Sequence, residues 1–153
     1  MKNRIFLFII IMLLATFVSN AQDDISVKNF TIADTVISGK TNCQLLRFEI
    51  YSPRFASFNY ATDFVFEIEG REYIDTLKIY NTDTSSVFST LHLVQKIVPQ
   101  KHRIISHKEI SVPFEKCVLW VVADIKKDAK MGEPLSVKLI SIEVHYKTIQ
   151  PED

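Results

Sequence analysis

The chain has 153 residues, 18 Lys and Arg against 18 Asp and Glu, and 47% apolar side chains. That is one domain's worth of chain with enough apolar material for its own core, so neither metal nor disulfide staples are required for folding. The even charge balance argues against nucleic acid and against an anionic membrane surface as partner, since both demand a positive face.

The first element is a secretory signal. Lys2 and Arg4 form a short basic region, Ile5 to Val18 is apolar except for Thr16, and Ser19-Asn20-Ala21 supplies the small residues that signal peptidase reads. The apolar run is shorter than the ~18 residues of a spanning helix. Residues 1–21 are therefore expected to be removed, leaving residues 22–153 as a single domain with no membrane span. No Cys follows the apolar run, so a lipid anchor is not indicated. The expected location is the periplasm or the extracellular space. Without Lys2 and Arg4 the balance is 16 basic against 18 acidic residues, a net charge of −2.

Beyond residue 21 the dominant period is two, that of strands with one buried face. Ile25 to Ile37 supplies one or two strands. Leu46, Phe48 and Ile50 alternate with Arg47, Glu49 and Tyr51; Phe64, Phe66 and Ile68 alternate with Asp63, Val65, Glu67 and Glu69; Leu77 and Ile79 alternate with Thr76, Lys78 and Tyr80. Ser86 to Val98 fits a strand or an irregular edge, and Ile104 to Val112 another strand. Cys117 to Ile125 is almost continuously apolar, as a central strand covered on both sides would be. Leu135 to Tyr146 changes face partway, which predicts a β-bulge. Glu69-Gly70-Arg71-Glu72 reads as a tight hairpin and Asn81 to Thr84 as a side-chain-bonded turn, while Lys126 to Met131 could form one helical turn. Seven to nine short strands with frequent turns imply an all-β protein, two antiparallel sheets packed as a sandwich.

Few chemistries find support. The chain has no G-x-S-x-G elbow, no H-E-x-x-H, and too few glycines, three, for a phosphate-cradling loop. His102 and His107 fall on opposite faces of a strand, a poor arrangement for sharing a metal. Glu67 and Glu69 share a strand face, with Glu49 a candidate neighbour; without cleft-forming insertions they read as an ordinary solvated face rather than a glycosidase pair. No catalytic residue, metal or cofactor is expected. Cys43 and Cys117 lie in the exported part, where they either form one disulfide or stay as two buried thiols. The candidate binding segment is Ser52 to Tyr60, where Arg54, Phe55, Phe58 and Tyr60 could stack on a sugar or anchor a protein. The alternative is that Phe55 and Phe58 fold inward as core.

The run Leu119-Trp120-Val121-Val122-Ala123-Asp124-Ile125, followed by Ala129 and Gly132, resembles the end of the N-terminal domain that precedes the propeller of bacterial sialidases (the BNR-repeat neuraminidase N-terminal domain). Asn42 to Arg47, and Gly70 to Tyr80 with Asp75, Leu77 and Ile79, resemble earlier parts of the same pattern, so residues 25 to 146 are covered. The order departs from it at Cys43-Gln44, where the family often has Pro, and at Val118-Leu119, where an aromatic commonly precedes the Trp. The Asn-Ala-Gln ending of the signal resembles those of Bacteroidetes-type bacteria. The resemblance implies an immunoglobulin-like or jelly-roll-like sandwich, an accessory module without catalytic residues, and a structural role for Asn42, Gly70, Trp120, Asp124 and Gly132. Trp120 is expected between the sheets, as in other sandwiches. The implied function is glycan or glycoprotein binding; the other reading is an assembly protein that docks an exported partner through a sheet face or edge.

Overall fold

A computed structural model describes residues 25–52, 59–113, 115–144 and 146–152; the expected signal segment, residues 1–21, lies outside them. Among the described residues eleven strands form two antiparallel sheets packed face to face, with one 3₁₀ turn. The first sheet has the order β1 (Ser26–Thr31), β3 (Cys43–Ser52), β9 (Glu115–Ile125), β5 (Ile74–Asn81), β6 (Leu93–Ile97). The second runs β11 (Lys147–Ile149), β10 (Pro134–Val144), β4 (Asn59–Glu69), β7 (Arg103–Ser106), with β2 (Asp34–Thr35) beside β10 and β8 (Ile110–Val112) beside β4. Among the described residues no helix is long and apolar enough to cross a membrane.

The alternating patterns become the inner faces. Leu46, Phe48 and Ile50 of β3 meet Phe64, Phe66 and Ile68 of β4 in one buried cluster. Phe48 lies 5.9 Å from Phe64 and 6.2 Å from Phe66, tilted to both, which knits the two sheets through their largest side chains. β9 is central, hydrogen-bonded to β3 and β5, and buried on both sides. β10 carries the expected register shifts, between Leu139 and Ser141 and again before Glu143.

The strand count exceeds the seven to nine expected, for local reasons. Ile104 to Val112 divides into β7 and β8, both paired with β4, and Asp63 sits between the two pairings with φ +48°. β10 stops at Val144, and Tyr146, with φ +61°, turns the chain back into β11. The turn at Asn81 forms as expected, with the Asp83 N–H donating to Asn81 Oδ1 at 2.8 Å. Lys126 to Met131 is a pair of turns rather than a helix.

The segment Glu69 to Glu72 is not a hairpin. β4 and β5 belong to different sheets, and the 3₁₀ turn Arg71–Tyr73 carries the chain from one to the other. Gly70 makes the corner with φ +72°, and a Cβ there would lie 2.6 Å from the Pro134 carbonyl oxygen. Gly70→Ala is expected to cost at least the ~1–2 kcal/mol of a left-handed alanine, raised further by the clash with backbone. A urea midpoint unchanged from wild type would contradict this corner geometry.

The β1 edge is covered. The Asn29 N–H donates to the Glu152 carbonyl at 3.1 Å, and the Glu152 N–H to the Val27 carbonyl at 2.8 Å. Asn29 Nδ2 also reaches across to the Leu139 carbonyl of the second sheet at 2.9 Å. At the other end of the first sheet β6 pairs only with β5 among the described strands.

Candidate functional site

Trp120 does not lie between the sheets. Within β9, Cys117, Leu119, Val121, Ala123 and Ile125 point into the core, whereas Val118, Trp120 and Val122 point to the outer face. The correction follows from the period-two rule: Trp120 shares its parity with Lys116 and Asp124. It is nevertheless only 6% exposed, because Phe88 and Tyr80 cover it from outside.

This outer face is an ordered row across four strands. Phe30 of β1 stands opposite Arg47 of β3, Arg47 opposite Trp120 of β9, and Trp120 opposite Tyr80 of β5. The Arg47 guanidinium sits 4.0 Å from the Phe30 ring centre and 5.9 Å from that of Trp120, a cation held between two π faces. Three strand spacings make the row about 14 Å wide. Phe88, from the segment after β5, closes one end, edge-on to Tyr80 at 5.5 Å and to Trp120 at 5.6 Å. Phe30 closes the other and is 38% exposed.

Charge surrounds the row. Glu49 is buried on the same face, where it accepts the Tyr51 hydroxyl and a 3.1 Å hydrogen bond from Ser86 Oγ. Lys116 and Arg47 approach the same carboxylate to 3.8 and 3.6 Å. Burial alone raises its pKa, but the Tyr51 and Ser86 hydrogen bonds and the two cations prevail and hold it below the ordinary 4.5. Lys28 lies 5.5 Å from the centre of the Tyr51 ring, extending a cationic, aromatic strip along β1 and β3.

Asn42 and Asp124, two of the residues that carry the family resemblance, meet at the end of the same sheet. The Asn42 N–H donates to Asp124 Oδ1 at 3.0 Å, and Lys78 Nζ donates to both Asp124 Oδ1 at 2.8 Å and Asn42 Oδ1 at 3.1 Å. Asn42 has φ +52°, a conformation that Asn tolerates and most residues do not. Burial works against the Asp124 carboxylate, but Lys78 and the Asn42 amide outweigh it and depress its pKa. Beside them opens a shallow depression of about 500 Å³, lined by Gly39, Thr41, Asp75, Lys126 and Asp128 among others. Gly132 stands apart, its N–H donating to the Val36 carbonyl at 3.0 Å.

Of the aromatic segment, Arg54, Phe55 and Phe58 lie outside the described residues. Tyr60 is the second residue of β4 and is exposed, lining a small hollow of about 170 Å³ with Thr62, Glu109, Glu143 and Tyr146. It belongs to the second sheet, as do Glu67 and Glu69. Glu49 is in the first sheet, on the opposite side of the molecule, so the three carboxylates do not converge. Among the described residues no group of three His, Cys, Asp or Glu side chains could hold a metal ion.

The cysteines are free thiols and not a disulfide. Cys43 pairs with Ala123 and Cys117 with Ile50, so the two lie at opposite ends of neighbouring strands, roughly 20 Å apart at about 3.3 Å per residue. A disulfide needs Cα atoms within about 7 Å. Burial pushes Cys43 up to about 11, with the Asp34 hydrogen bond adding to it, and Cys117 up to about 12. Neither thiol is expected to react with Ellman's reagent in the native protein at pH 8, and two should react in guanidinium without any reductant; a count of zero would restore the bridge.

Asp34 ties β2 to this corner. It accepts from Lys40 Nζ at 2.8 Å, from Cys43 Sγ at 3.1 Å and from the Thr35 N–H at 2.8 Å. These bonds, Lys40 foremost, lower its pKa from 3.8 to about 2. The depressed value means stability that is complete above pH 4 and lost as pH falls from 4 toward 2. Asp34→Asn should lower the melting temperature at pH 7 and flatten its fall across that window. Parallel profiles for the two proteins would remove Asp34 as the responsible group. No family model matches the chain, and no curated protein matches it.

Proposed function

We propose that the protein is an exported, non-catalytic recognition module that binds a glycan or glycoprotein through the outer face of the five-stranded sheet. The observation that carries this is the row Phe30–Arg47–Trp120–Tyr80, flanked by Lys28, Tyr51 and Lys116. The exposed Phe30 ring offers a flat face for the apolar side of a sugar, Trp120 and Tyr80 back the row from beneath Phe88, and the adjacent cations suit an acidic substituent. Phe30 is the exposed end of the row and the expected first contact.

A glycan array should show retention of at least one glycan class, weakened about tenfold or more by Phe30→Ala. Tyr60→Ala serves as the contrast, because it alters the aromatic segment of the other sheet. Loss with Tyr60→Ala alone would move the site there, and no retention of any glycan would end the proposal.

A second reading, docking of another exported protein, is favoured by one observation. Val87 and Leu91, 74% and 84% exposed, lie in the segment that leads into β6, whose Leu93 is also exposed on an edge where an added strand could pair. Co-purification with an envelope protein that survives Phe30→Ala but is lost with Leu91→Asp would support this reading over the first.

A further inference from the structure

We infer that the Phe88 segment conceals a second part of the binding face, a site for a ligand that joins a flat ring to an anionic oxygen. The inference rests on the reading of this sheet face as the ligand-binding face. Two buried donors point to it. Trp120 Nε1 and Arg47 Nε have no hydrogen-bond partner, although both atoms are shut off from solvent. Glu49 does not serve Arg47 here, since Oε1 lies 3.6 Å from Nε, beyond hydrogen-bond range. Buried N–H groups almost always find an acceptor, so an unpartnered pair on neighbouring residues marks a place for one.

What covers the Trp120 ring, beside Arg47 in the row, is a strap. Its ends are fixed: the Asn81 N–H donates to the His92 carbonyl at 3.0 Å, and the Ser85 N–H to the Thr82 carbonyl at 2.9 Å. Between them the chain has no regular structure. Phe88 is the side chain it turns inward, while Val87 and Leu91 stay in solvent. Ser86 is held by Glu49, and Lys116 lies 3.4 Å from its hydroxyl. The strap thus rests on one ring and a few polar contacts. A ligand ring in place of Phe88 would meet the same faces of Tyr80 and Trp120. Its anionic oxygen would accept from Arg47 Nε and Trp120 Nε1. Arg47 and Lys116 outnumber Glu49, so the site carries a net positive charge suited to that oxygen.

Trp120 is the only tryptophan of the chain, so its emission reports on this site alone. The probe is 8-anilinonaphthalene-1-sulfonate, an aromatic anion that accepts excitation from a nearby indole. Phe88→Ala is expected to bind it at least tenfold more tightly than wild type, with energy transfer from Trp120, while keeping a cooperative urea transition. Arg47→Gln added to Phe88→Ala should abolish the gain. A folded Phe88→Ala without the gain overturns the proposal, and so does a gain that survives Arg47→Gln, which would be adhesion of the dye to apolar surface. Should Phe88→Ala fail to fold, Phe88→Leu is read by the same criteria. Phe30→Ala keeps the two proposals apart: it should weaken glycan retention and leave the probe gain intact. A probe gain in a protein that retains no glycan would sink the function and spare the concealed site.

Discussion

Phe48→Ala is expected to lower the unfolding free energy by about 3–5 kcal/mol, the largest effect of any single truncation in this fold. The reason is position as much as size. Phe48 is fully buried, sits on the central pair β3–β9, and is the ring that touches both Phe64 and Phe66 from the facing sheet. Removing it takes one wall from each of those contacts, and Phe64 and Phe66, stacked 6.4 Å apart on one strand, cannot both lean in to refill the space. A domain of this size holds roughly 5–15 kcal/mol in total, so a third or more of its stability would go. The melting temperature should fall by roughly 10 °C or more. A urea titration should show a lower midpoint at an unchanged slope, and Phe48→Leu should recover much of the loss. A shift below about 1 kcal/mol would mean that the sheets do not meet at Phe48.

Trp120→Ala should cost about 3 kcal/mol, at the low end for a buried tryptophan. Its ring is covered by Phe88, Tyr80 and Arg47 rather than by the facing sheet, so the gap opens toward solvent and can be partly closed. The consequences are also different in kind. The inter-sheet core remains, but Phe88 loses one of its two ring contacts and Arg47 loses one of its two π faces. The strap should loosen, and chymotrypsin should nick native Trp120→Ala at Phe88 or Leu91 under conditions that spare wild type. Phe48→Ala, by contrast, should be cut only in proportion to its global unfolding. A Trp120→Ala protein that melts within a degree or two of wild type would place the indole in solvent.

Much of the sandwich is legible along the chain because its strands are mostly one-sided. Phe64, Phe66 and Ile68 announce their inner face, and the change of phase after Leu139 announces the bulge in β10. Trp120 is harder. In a run that is apolar on both faces, residue type says nothing about direction, and only the parity shared with Lys116 and Asp124 tells the outer face from the inner. The Gly70 corner misreads as a hairpin because Gly70 suits any tight reversal. Whether the next strand returns to the same sheet is decided by β5 pairing with β9, over forty residues later. The candidate site fails locally for the same reason. Phe30, Arg47, Trp120 and Tyr80 come from four strands that are not consecutive, and no two of them lie closer than 17 residues in sequence. Phe88 lies in a segment that reads as a strand or an irregular edge, and its role emerges only when Tyr80 and Trp120 are beneath it.

The most direct test of the ligand face is a titration of isotopically labelled protein with the strongest glycan from an array, followed by amide and indole NMR shifts. The row predicts changes at Phe30, Arg47 and the Trp120 indole N–H, grouped on the outer side of β1, β3 and β9. Shifts confined to Tyr60 and Tyr146 on the other sheet, or to the β6 edge at Leu93, would contradict it.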